Sequence, residues 1–280
     1  MPASGAPEFD WQDGGAGFIE AGRKRLEFQC HGPKPDDAPT IVMLHEGLGC
    51  VALWRDFPKR LVEATGMGVF VYSRAGYGQS DVADLPRAIE YMTQEAVEVL
   101  PQVLDGIGFR RGILFGHSDG ATIAAIHAGS IEDFRVRGMV LIAPHFFAER
   151  AGLDEIKQAR AVYETTDMRE KMARYHKDPD CAFRGWNDAW LNPGFADWTV
   201  ADVIDYLRVP VLAVQGEDDQ YGTLAQIEVL QERSYAPVEE LILAECRHAP
   251  QMEQPQAVLD GVAEFAARLW RIEAAQVIPV

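Results

Sequence analysis

The chain has 280 residues, 48% of them hydrophobic and 25% charged, enough to bury a sizeable core and unlike a disordered or fibrous chain. Its 26 lysines and arginines stand against 43 acids, a formal net charge of −17. Such a balance suits neither nucleic acid nor an anionic membrane surface as a partner, and it decides nothing about a small-molecule substrate, since a local pocket can differ from the whole.

The opening stretch Met1–Asp10 has neither the basic start nor the apolar run of a secretory signal. No segment approaches the roughly 18 uninterrupted apolar residues of a membrane-spanning helix. A cytoplasmic location is therefore expected. Leu26, Phe28 and Cys30 alternate with polar neighbours, as a half-buried strand does. The run Ile41–Leu44 is apolar throughout and leads into His45-Glu46-Gly47-Leu48-Gly49. Cys50 follows, with no base in a recognisable pattern beside it, and reads as a small buried residue. All four cysteines (Cys30, Cys50, Cys181, Cys246) are scattered, the pattern of free thiols.

A second apolar run, Val69–Tyr72, leads into Ser73-Arg74-Ala75-Gly76-Tyr77-Gly78-Gln79-Ser80. Met92, Ala96, Val99, Val103 and Ile107 then share one face of a helix, which Pro101 should kink or restart. Ile113–Phe115 is a third run, and Met139–Ala143, Val211–Val214 and Leu241–Leu243 continue the series. Runs of this kind are strands covered by helices on both faces, so the fold class is α/β with a mostly parallel central sheet.

The alternation breaks once. Residues 146–208 carry helical patterns (Leu153, Ile156, Ala159, Tyr163; then Met168, Met172, Tyr175) and an aromatic stretch, Trp186, Trp190, Phe195 and Trp198, interrupted at Asn192-Pro193-Gly194. This reads as a helical insertion over the sheet's edge, with residues 1–145 and 209–280 forming the core. The aromatic residues either line a ligand pocket or pack the insertion down. Val258, Val262, Phe265 and Leu269 form a last helical stripe.

The sharpest chemical signal is Gly116-His117-Ser118-Asp119-Gly120, between the run ending at Phe115 and a helical run Ala121–Ile126. A chain turning tightly from strand to helix holds the serine hydroxyl out at the sheet's edge, and glycines on both sides avoid collision. The new helix also aims free N–H groups at developing negative charge. A serine hydroxyl needs a base and an orienting acid. Two later strand ends supply candidates, Gln215-Gly216-Glu217-Asp218-Asp219 and Ala244-Glu245-Cys246-Arg247-His248, both at positions where open α/β sheets collect their chemistry.

With these landmarks in order, the sequence resembles the α/β-hydrolase superfamily over nearly its whole length. His45–Gly49 is similar to that family's oxyanion loop, Ser73–Ser80 to its DxRGxGxS segment, and the insertion falls where its cap usually lies. The resemblance implies Ser118 as nucleophile, His248 as base and Asp219 as acid, with Asp218 the rival. It implies an oxyanion hole from the backbone N–H groups of Asp119 and of Gly47, or Leu48 instead of Gly47. Glu46 and Asp119 depart from the usual pattern. Either their charges disfavour anionic substrates at the pocket, or they turn to solvent or pair with Arg74. His45-Glu46 lacks the second histidine of a zinc protease, position 49 being glycine, so no metal and no cofactor are expected.

The resemblance implies a serine hydrolase of small esters, lactones or thioesters. The alternatives are a C–C bond hydrolase of ring-cleavage products, against which Ala249 after His248 argues, and a hydrolase-fold receptor with little turnover. A homodimer stays open.

Overall fold

The computed structural model describes residues 9–276. The sequence's six apolar runs fall in β3 to β8 of one eight-stranded sheet: β1 Ala16–Ala21, β2 Lys24–His31, β3 Thr40–Leu44, β4 Gly68–Tyr72, β5 Gly112–His117, β6 Val136–Ile142, β7 Val211–Gly216 and β8 Val238–Leu243. Their spatial order is β1-β2-β4-β3-β5-β6-β7-β8. β1, β2 and β4 pair antiparallel, and every pair from β4 to β8 is parallel. β5, which delivers Ser118, lies between β3 and β6.

Alternate residues of the central strands face opposite cores. Val42, Leu44, Phe70, Tyr72 and Leu114 look to one side, and Ile41, Met43, Val69, Val71, Ile113 and Phe115 to the other. This period of two over strands covered on both faces is why the runs contain no polar residue. Helices α1 (Phe57–Thr65), α2 (Tyr91–Gln94), α3 (Leu100–Gly106), α4 (Asp119–Ser130), α5 (Arg150–Thr165), α6 (Met168–Met172), α7 (Pro179–Trp190), α8 (Ala225–Arg233), α9 (Pro250–Glu253) and α10 (Pro255–Gln276) surround it. Val258, Val262, Phe265 and Leu269 of α10 are all buried in the second core, as their spacing predicted.

Three local outcomes sharpen the sequence reading. Pro101 does not end its helix: a π turn over Glu95–Val99 precedes it and α3 restarts with the proline in its first turn, where the missing N–H costs least. β8 is half-exposed along most of its length, because it is the outer strand of the sheet. α6 ends at Met172, so Tyr175 lies beyond it and is exposed.

Residues 146–208 hold α5, α6, α7 and two 3₁₀ turns, Pro193–Phe195 and Ala201–Tyr206. The two ends of this insertion meet. Phe147 and Thr199 form an antiparallel bridge, the Val200 N–H donates to the Phe146 carbonyl at 2.7 Å, and the Ala148 N–H to that of Trp198 at 3.0 Å. Among the described residues no helix is long and apolar enough to cross a membrane. The four cysteines are buried and free, and burial pushes the Cys50 thiol up to about 12.

Candidate active site

β5 ends at His117, and α4 begins at Asp119. Ser118 between them has φ 53° and ψ −119°, a left-handed conformation that a side chain adopts only under constraint. The constraint is visible. The Ser118 N–H donates to the Ile142 carbonyl at 2.8 Å, and its own carbonyl accepts from Thr122 at 3.0 Å. A Cβ on Gly120 would lie 2.1 Å from the Leu44 carbonyl oxygen, and one on Gly116 only 2.3 Å from that of Gly120. The turn tolerates nothing larger at either position.

Beside β5, the loops after β7 and β8 bring Asp219 and His248 together. The His248 Nδ1–H lies 2.9 Å and 2.8 Å from the two Asp219 carboxylate oxygens. Asp219 also accepts from the Tyr221 N–H at 2.8 Å and from the Gln215 amide at 2.9 Å. Its side chain is 1% exposed. Burial acts to raise its pKa, but the hydrogen bond and charge of His248, with the Tyr221 N–H, outweigh it and hold the carboxyl below its ordinary range. Asp218 is exposed, and its N–H is spent on the Cys246 carbonyl. The acid in contact with His248 is Asp219.

His117, flanking the serine, has its Nε2 2.7 Å from the His248 carbonyl oxygen and its Nδ1 2.9 Å from the Gln251 amide nitrogen. The nucleophile's turn is thus tied to the backbone of the histidine loop.

Ser118, His145 and His248 line one cavity of about 120 Å³ together with Glu46, Gly47, Leu48, Ile156, Trp186, Trp190 and Tyr221. The aromatic stretch therefore does both things the sequence allowed. Trp186 and Trp190 wall the cavity, while Phe195 and Trp198 stack on each other at 4.8 Å below Trp190. Trp186 packs so closely on the early loop that a Cβ on Gly47 would lie 2.3 Å from its ring.

On the other side of Ser118 the two unusual acids part company. Asp119 is wholly buried and faces Arg74, with Nη2 to Oδ2 at 3.7 Å. It accepts a short hydrogen bond from the Tyr91 hydroxyl, which in turn accepts from the Trp190 indole N–H at 3.0 Å. Arg74 also donates to the carbonyl oxygens of His45 and Glu46, the latter at 3.1 Å. Its backbone N–H donates to His45 Nε2 at 3.0 Å, which leaves the ring proton on Nδ1, bonded to the Glu46 carbonyl at 2.7 Å. In a trans peptide the carbonyl and the next N–H point opposite ways, so the Gly47 N–H is turned away from Arg74.

The expected pairing with Arg74 thus holds for the Asp119 carboxylate. The Glu46 carboxylate instead lies 3.4 Å from His117 Nδ1 and stays 30% exposed. His117, His145 and Gln215 also border the site, by contact with His248, the cavity and Asp219, although no motif marks them. Their shared signal is a polar residue at or just past the C-terminal end of a buried parallel strand.

The Alpha/beta hydrolase family model matches residues 41–260 of this chain. The chain belongs to that family. It is a hydrolase with the α/β-hydrolase fold, and the motif order anticipated both. No curated protein matches its sequence. Among solved structures, this α/β hydrolase is similar to the enol-lactonase from Burkholderia xenovorans LB400, with a TM-score of 0.69, 19% identity, and 90% of this chain and 100% of that chain covered. It is similar to naproxen esterase from Bacillus subtilis, with a TM-score of 0.68, 18% identity and 90% of each chain covered. It also resembles the meta-cleavage product hydrolase from Pseudomonas fluorescens IP01, with a TM-score of 0.65, 18% identity, and 90% of this chain and 97% of that chain covered. At these identities the likeness is one of fold.

Proposed function

We propose that this α/β hydrolase cleaves small carboxylic esters, lactones or thioesters, with Ser118 as nucleophile, His248 as general base and Asp219 as the acid that orients it. The observation that carries the reading is a serine held at φ 53° in the wall of a cavity it shares with His248, whose far nitrogen is bound by a buried carboxylate. Asp219 fixes the Nδ1–H tautomer, which leaves the Nε2 lone pair to take the serine proton. Ser118 Oγ then bonds to the substrate carbonyl carbon, and the carbonyl oxygen takes the negative charge. The N–H groups of Gly47 and Asp119 are the donors assigned to that oxyanion. The carbonyl re-forms as the bond to the alcohol or thiol breaks and His248 gives that group the proton; His248 then takes a proton from a water whose oxygen bonds to the acyl carbon, and returns it to Ser118 Oγ as the Ser118–acyl bond breaks.

The insertion at 146–208 serves as a cap in this reading, contributing Ile156, Trp186 and Trp190 to the cavity. A cavity of about 150 Å³ takes up a benzene-sized molecule, so the somewhat smaller 120 Å³ suits a short chain. Four buried free thiols support work in a reducing, cytoplasmic setting.

A fluorophosphonate probe tests the assignment. It should label the wild type at Ser118 alone, and Ser118→Ala should lose both labelling and ester hydrolysis. Labelling that survives Ser118→Ala would sink it. Turnover of vinylogous diketones but not esters would move the chain to the C–C hydrolases, and labelling with no turnover at all to the ligand receptors.

A further inference from the structure

The cavity holds a second histidine that the proposed mechanism does not use. His145 lies three residues beyond the end of β6, and is 4% exposed. Its backbone is fixed from α4: the Thr122 hydroxyl donates to the His145 carbonyl at 2.8 Å and accepts from the His145 N–H at 3.1 Å. Its ring stands edge-on to Trp190 at 5.2 Å and 5.8 Å from the His248 ring. Gly222 closes in behind, where a Cβ would lie 3.1 Å from the imidazole Cε1. Backbone and ring are thus held in one orientation.

That ring is polar and unspent. Neither of its nitrogens is hydrogen-bonded to another of the described residues, although the ring lines the cavity with Ser118 and His248. A neutral imidazole presents one N–H and one lone pair. Burial, with the charge of His248 beside it, pushes its pKa down to about 3, so the ring is uncharged at neutral pH. The other walls are mostly apolar, and no lysine or arginine is among them. A ligand filling this space must answer the imidazole with a polar atom or leave it unmatched.

We propose that His145 is a specificity residue that hydrogen-bonds an uncharged hydroxyl or carbonyl group carried by the substrate near its scissile carbonyl. The inference rests on the hydrolase reading and narrows it: hydroxy- or oxo-substituted esters and lactones, not plain alkyl esters and not carboxylates, are the preferred class. A neutral imidazole offers no charge to an anion, and Glu46 at the same cavity repels one.

The test is a panel of short phenyl and alkyl esters in which one hydroxyl or oxo group is walked along the acyl and alcohol portions, each compared with its unsubstituted parent. In the wild type the best-placed substituent should raise kcat/KM by about tenfold or more. His145→Phe, which keeps a ring of similar shape, should bring the ratio of substituted to parent kcat/KM down to about one, whatever the change in the parent's own rate. His145→Gln, with one donor and one acceptor, should restore part of it. The proposal is overturned if no substituent helps the wild type, if the gain survives His145→Phe, or if that variant slows parent and substituted esters alike. Fluorophosphonate labelling of the same proteins separates the two levels. Labelled protein without a gain fails His145 alone; unlabelled, inactive wild type fails the hydrolase reading and this inference with it.

Discussion

Two carboxylates with fully buried side chains flank Ser118, and they are held in opposite ways. Asp219 opens towards the cavity through His248, surrounded by a histidine N–H, a backbone N–H and an amide. Asp119 is sealed beneath the loop, with Arg74 and the Tyr91 hydroxyl as its partners. Donors outweigh burial at Asp219 and lower its pKa. At Asp119 burial dominates over the opposing charge of Arg74 and raises it. The first arrangement suits a group whose partner must exchange protons. The second suits a strut, because one guanidinium joins the start of α4 to the carbonyls of His45 and Glu46.

The comparison breaks most cleanly at Asp219. Asp219→Asn should lower kcat by about 10⁴-fold with the fold intact, as loss of the tautomer-setting acid does, while Asp218→Asn stays near wild type. Steady-state rates on any ester the wild type turns over decide it, and the reverse ranking would reassign the acid.

The strut should show first in stability. Arg74→Met or Asp119→Asn leaves one buried charged group without its partner, which costs about 3–5 kcal/mol. The double variant should recover much of the loss, and urea unfolding of all four proteins measures the coupling. Additive losses would mean that the two residues act separately.

Gly47→Ala is expected to slow hydrolysis on the order of 10²-fold, since the new methyl must displace Trp186 or the loop that positions the proposed oxyanion donor. A change confined to KM would place the damage in substrate binding instead.

An effect absent at neutral pH concerns acid stability at His145. Its folded pKa of about 3 lies below the ordinary 6.5, so between these values the unfolded chain binds the extra proton. Stability from this group is full above about pH 6.5 and is lost as pH falls towards 3. His145→Phe should therefore flatten the fall of the unfolding midpoint over that window, measured by thermal melts at stepped pH. An unchanged slope would show that the ring is not held neutral.

The central strands were legible because strands buried on both faces carry no polar residue, as Ile41–Leu44 and Val69–Tyr72 illustrate. β1 left no such run: Ala16–Ala21 includes Gly17, Glu20 and an exposed Phe18. The serine turn was legible because its geometry demands glycines at fixed offsets. Asp219 and Asp218 are adjacent acids, and local sequence alone does not say which faces His248; the Tyr221 N–H and the Gln215 amide do. Arg74 and Asp119 lie 45 positions apart, so their pairing stood only as one of two readings. The roles of His117, His145 and Gln215 depend on neighbours from other strands, to which no spacing rule refers.

The Phe147–Thr199 bridge has a consequence for exchanging the insertion. The chain leaves and re-enters the sheet scaffold through two adjoining extended segments bonded to each other. Everything between them is joined to the scaffold's chain at one place, and an exchanged segment would also have to meet the Tyr91 hydroxyl and the Gly78 N–H, as Trp190 and His176 do. Pocket walls such as Trp186 and Trp190 thus come from a different stretch of chain than the serine turn and the histidine loop.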